Sequence, residues 1–148
     1  SDLQCPATLL VARHGDATYP VRGVLTDDGG SLTHLGRAQA VALAESVRAR
    51  RIAAVYTSSM ERAVATGQLA ARALGVRADL VEGLQEFSVG ELAGLPYNDP
   101  RPQQVFEAWV DGDLDAAIPG GESGLQLGER RPAKKRVELA LVIRNPVQ

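Results

Sequence analysis

Residues 8–17 read "TLLVARHGDA". Thr8 to Ala12 is a short, continuous apolar run, the signature of a strand covered on both faces in a parallel sheet. It stops at Arg13, His14 and Gly15. Open α/β sheets bind ligands just past the carboxyl ends of their strands. A histidine there can serve as nucleophile or general base near neutral pH. An arginine beside it offers a planar fork for phosphate oxygens. Gly15 is expected to leave room for a substrate to approach the backbone.

Working outward, residues 15–32 are polar and turn-rich and read as loop. Thr33 is placed to N-cap a helix that runs to about Arg50. "AAVYT" at 53–57 reads as a second strand, and "SSMERAVATGQLAARALG" at 58–75 as a helix. Ser58 and Glu61 have capping-box spacing. Ala63, Val64, Gly67, Ala70, Ala71 and Leu74 form an apolar stripe at helical period, and Gly75 is a natural C-cap. "VRADLVE" at 76–82 is a third strand. This alternation predicts an α/β fold, a mostly parallel sheet with helices on both faces. A short helix is expected from Pro102 to Val110, with Phe106 and Trp109 on its buried side. "ELALVI" at 138–143 reads as a last strand beside the first.

The chain has 148 residues, which fits one domain. Its formal net charge of −2 gives no electrostatic footprint for nucleic acid. A single cysteine, Cys5, allows no internal disulfide and suits a reducing, cytoplasmic location. No apolar run approaches a membrane span, and no signal-peptide pattern is read at the start. "DGDLD" at 111–115 lacks the glycine and glutamate of a calcium loop, and "DDGG" at 27–30 is followed by no Gly-Lys-Ser/Thr. Neither stretch is a metal or nucleotide loop, which agrees with the absence of metal and cofactor implied by the resemblance described below. The oligomeric state stays open, a homodimer included.

Two more residues join the candidate site. Arg62 falls in the first turn of the second helix, read as opposite the apolar stripe, where free N–H groups and the dipole favour anions. Both strands end at the same sheet edge, so Arg13, His14 and Arg62 should meet there. Glu86 follows the third strand. A partly buried carboxyl holds its proton and can pass it to a leaving oxygen. Glu82 and Glu91 are its competitors. His34, Cys5 and the basic stretch 130–136 read as local or solvated features.

"LLVARHG", "LTHLGRAQA", "IAAVYTSSMERAVATGQLAARALG", "LQEFSVGELAGLPYND" and "PGGES" occur in that order. Together, over about residues 8–123, they resemble the histidine phosphatase superfamily, also called phosphoglycerate mutase-like. The resemblance implies a metal-independent phosphomonoester hydrolase working through a phosphohistidine on His14. Arg13 and Arg62 would hold the phosphate, and Glu86 would protonate the leaving group of a small phosphorylated substrate. Ala17 and Pro20 stand where many members carry threonine and asparagine. The tryptophan-asparagine pair of the mutases is absent, which favours a phosphatase over a mutase. The family's second histidine, after the last strand, is also missing: this chain has only His14 and His34. By register Asn145 takes its place, with the end of the last strand expected at the His14 edge. Residues 124–148 read as an atypical tail, whose loss of a helix would expose apolar sheet surface. The competing function is a catalytically degenerate phosphate-binding or interaction module.

Overall fold

The computed structural model describes residues 8–130 and the backbone of 139–143. Strand β1 is Thr8–Ala12, and a two-residue ladder joins β2 (Ala17–Thr18) to β3 (Ser31–Leu32) inside the stretch read as loop. Helix α1 spans His34–Val47, β4 Ile52–Thr57, α2 Glu61–Leu74 and β5 Arg77–Leu80. Helix α3 is Pro100–Val110, α4 Gly124–Arg130 and β6 Leu139–Ile143. The fold is α/β, as expected. Among the described residues no helix is long and apolar enough to cross a membrane.

The main sheet has the order β1-β6-β4-β5. β4 and β5 are parallel, whereas β6 is antiparallel to both β1 and β4. β1, β4 and β5 thus share one direction and β6 alone opposes them. The last strand does lie beside the first, but its direction overturns the expected arrangement at the His14 edge. Leu139, the start of β6, pairs with Ala12, and Ile143, its end, pairs with Thr8 at the far side. Asn145 itself lies outside the described residues.

Contacts divide the described chain into two compact units. The first holds residues 8–18, 30–85 and 139–143, the second residues 19–29 and 86–130. In the first, Val47, Ile52, Val55 and Ala71 form the core, with Leu10, Ala12 and Leu43 packed against it. Leu10 and Ala12 share one face of β1 because side chains alternate along a strand. Leu9 and Val11 point the other way and are 51% and 45% exposed. The expectation of a strand covered on both faces is therefore not met among the described residues.

Helix ends follow local chemistry. Thr33 caps α1, its hydroxyl accepting the Gly36 amide at 3.0 Å. Gly75 ends α2 with φ of 70°. The capping box expected from Ser58 and Glu61 does not form, because α2 begins later. Met60 is its N-cap, with no side-chain bond, and Ser58 receives the Met60 amide at 3.4 Å.

In the second unit, Leu25, Val89, Leu92 and Ile118 are buried, and Phe87, Phe106 and Trp109 pack against them. The three rings meet with centroids 5.3–5.9 Å apart. Phe106 and Trp109 lie on the packed side of α3, as its periodicity predicts. Arg130, at the end of α4, is half-buried and paired with Glu122, where a solvated residue was expected.

Candidate active site

The edge of the sheet positions the residues around His14. β1 and β4 run the same way, so Ala12 and Thr57, their last residues, both pair with Leu139. The segments that follow, Arg13 to Gly15 and Ser58 to Arg62, leave the sheet at one edge, as the topology predicts. Arg13, His14 and Gly15 line a pocket of about 260 Å³ together with Gln39, Leu43 and Thr66. Arg13 is exposed and His14 half-buried.

The imidazole has a defined chemical state in its neutral form. Its Nδ1 lies 2.6 Å from the Gly15 carbonyl oxygen. A carbonyl only accepts, so Nδ1 carries the proton and donates it. Nε2 then holds the lone pair. This is the tautomer in which Nε2 can attack an electrophile.

Gly15 is held on three sides. Its amide donates to the Thr66 hydroxyl at 3.0 Å. A Cβ built on it would lie 2.9 Å from the carbonyl carbon and Cα of Gly36 in α1. The close approach of the protein's own helix thus requires a glycine here, at a position that also lines the pocket. Asp16 secures the next peptide. Its amide donates to Gln39 Oε1 at 2.7 Å, and its carboxylate accepts the Thr33 hydroxyl at 2.6 Å.

Arg62 is 5% exposed. The buried face of α2 holds Ala63, Gly67, Ala70 and Ala71 of the predicted stripe and also Arg62 and Thr66. Arg62 therefore flanks the stripe on its buried side and does not lie opposite it, because Arg62 and Thr66 form one ridge with Ala70. A buried guanidinium needs charge or hydrogen-bond compensation. Its place in the first turn adds the positive end of the helix.

Glu86 belongs to the second unit, half-buried, while Glu82 and Glu91 are exposed. Its backbone is braced by residues that no sequence reading assigned. Arg130 Nη2 donates to the Glu86 carbonyl at 3.0 Å. The same guanidinium makes a bidentate pair with Glu122, whose Oε2 accepts the Ser88 amide at 3.2 Å. Asp27 accepts the Ser88 hydroxyl and the Val89 amide, each at 2.8 Å. "PGGES" had flagged the neighbourhood of Glu122, but nothing local marks Asp27, which bonds across 61 and 62 positions. Among the described residues no group of three or more His, Cys, Asp or Glu could hold a metal ion.

Comparison with known proteins agrees with this architecture. A probable phosphoglycerate mutase of Yersinia enterocolitica is 29% identical over 128 residues, 84% of this chain and 60% of that protein. The relative from Yersinia pestis is 30% identical over 126 residues, covering 83% and 59%. The native structure of a mycobacterial glucosyl-3-phosphoglycerate phosphatase superposes with a TM-score of 0.65 at 27% identity, over 84% of this chain and 60% of that one. The same phosphatase in complex with VO3 gives 0.69 at 27% identity, over 85% and 61%. The chain thus spans about 60% of the length of the curated relatives it matches. The family model for the histidine phosphatase superfamily, branch 1, matches residues 9–136, and the chain belongs to that superfamily.

Proposed function

We propose that the chain is a phosphomonoester hydrolase acting through a phosphohistidine, with no metal required. The observation that carries this reading is the Nδ1–H bond of His14 to the Gly15 carbonyl, which leaves Nε2 with the lone pair. Nε2 attacks phosphorus as the ester P–O bond breaks, and the leaving alkoxide takes a proton from Glu86. Water then attacks the phosphohistidine. The P–N bond breaks, Glu86 takes the water's proton, and inorganic phosphate leaves. Arg13 and Arg62 stabilise the charge on the phosphoryl oxygens. Glu86 is assigned by its match to the family motif and is a half-buried residue.

The substrate class is a small phosphate monoester, in keeping with relatives named for a phosphoglycerate or its glucosyl derivative.

The test is hydrolysis of p-nitrophenyl phosphate and acid-quench trapping of labelled phosphohistidine. Both should be present in the unmodified chain and absent in His14→Ala. Full activity in that variant would refute the nucleophile assignment. Phosphate binding without any turnover would select the degenerate binding module, a reading favoured by the direction of β6, whose end lies away from the His14 edge.

A further inference from the structure

Thr66 lies in the second turn of α2, 1% exposed. Apart from Arg62, the buried positions near it are Ala63, Gly67, Ala70 and Ala71, all small and apolar, so packing against them asks for no hydroxyl here. Threonine in a helix interior also weakens helix propensity. Yet this hydroxyl is used twice. It donates to the Arg62 carbonyl at 2.7 Å and accepts the Gly15 amide at 3.0 Å.

Gly15 follows the end of β1, beyond the reach of the strand ladder. It is buried, so losing the Thr66 acceptor would strand a donor away from water. The carbonyl of the same glycine accepts Nδ1–H of His14. A chain of three hydrogen bonds therefore runs from the Arg62 carbonyl, through Thr66 and Gly15, to the imidazole.

We propose that Thr66 is a positioning residue. Its hydroxyl holds the glycine that sets the tautomer and pose of the His14 ring, and it registers that ring against the helical turn bearing Arg62. The proposal deepens, and rests on, the reading of His14 as nucleophile.

The test compares Thr66→Val, which keeps the shape without the hydroxyl, with Thr66→Ser, which keeps the hydroxyl. Amide exchange at Gly15 and the nitrogen chemical shifts of His14 are read alongside kcat and KM for p-nitrophenyl phosphate. Thr66→Ser should keep Gly15 protection, the Nδ1–H tautomer and a kcat within about threefold of the parent. Thr66→Val should lose Gly15 protection, mix the two tautomers and lower kcat by about ten- to a hundredfold, with KM little changed. A valine variant that leaves all three readouts intact would overturn the proposal. Should that variant fail to fold, the unmodified chain decides: an unprotected Gly15 amide or an Nε2–H tautomer overturns it. Absence of turnover in the unmodified chain would sink the nucleophile reading instead. The exchange and tautomer data would still show whether Thr66 holds the ring.

Discussion

Gly15 and Gly36 meet backbone to backbone. A Cβ on Gly15 would collide with the Gly36 carbonyl, and a Cβ on Gly36 would collide with the carbonyl of Asp16. The loop carrying His14 and the first turn of α1 are thus in contact at a point that admits no side chain.

It follows that Gly36→Ala should be destabilising although alanine is the better helix former. Overpacking against backbone costs about 1–3 kcal/mol, more than the ~1 kcal/mol gained in helix propensity. The urea midpoint should fall. A midpoint at or above that of the parent would show that the two segments can separate without penalty.

Arg62 offers a second prediction. Arg62→Lys keeps the charge but loses the planar fork, and its shorter donor set cannot reproduce a bidentate grip. Phosphate inhibition should weaken at least about tenfold, the equivalent of ~1.4 kcal/mol. Unchanged inhibition in a well-folded variant would remove Arg62 from the phosphate site.

The brace behind Glu86 predicts a local loss. In Glu122→Gln the half-buried Arg130 loses its charged partner, at about 1.5–3 kcal/mol for a hydrogen bond to a charged group. Hydrogen exchange should accelerate at the Ser88 and Val89 amides. The His14 tautomer serves as the control and should not change. Uniform acceleration over the whole chain would mean that the pair supports global stability and not this segment.

Asp99 predicts an acid transition in α3. It is the N-cap of that helix, and its side-chain hydrogen bond to Arg101 holds its carboxyl down to about 2 from 3.8. A depressed carboxylate adds stability that is complete above its unfolded value and lost as pH falls through the folded one. The first turn of α3 should therefore fray between about pH 4 and pH 2. Asp99→Asn can still cap but does not titrate, so its α3 amides should lack this step. The same step in both proteins would assign it elsewhere.

How much of this was legible in the sequence follows from the range of each interaction. Thr33, Gly75 and the α2 stripe act within a turn or two, and the sequence predicts each of them correctly. The direction of β6 was not legible, because an apolar run of five has no polarity and reads alike both ways. Ser58 and Glu61 had the right spacing for a cap, but chain direction after β4 set the helix start at Met60. His14 and Arg62 stand out as candidates in the sequence because strand ends announce themselves by composition. Their supports were not. Thr66 looks like an ordinary helical threonine until Gly15 is brought to it, and Asp27 sits in a turn-rich segment whose partners lie far along the chain.

The position of β6 carries a kinetic consequence. Among the described residues, β1 bonds in the sheet only to β6, and β6 bridges it to β4. Ala12 and Leu139 are partners although nearly the whole chain separates them. Closing so long a loop is entropically slow, and contacts of high sequence separation lower folding rates. α1, β4, α2 and β5 can assemble from neighbouring sequence as synthesis proceeds. The segment bearing His14 can take its place beside β6 only after β6 has been made, so the candidate nucleophile is set late relative to α1, β4, α2 and β5.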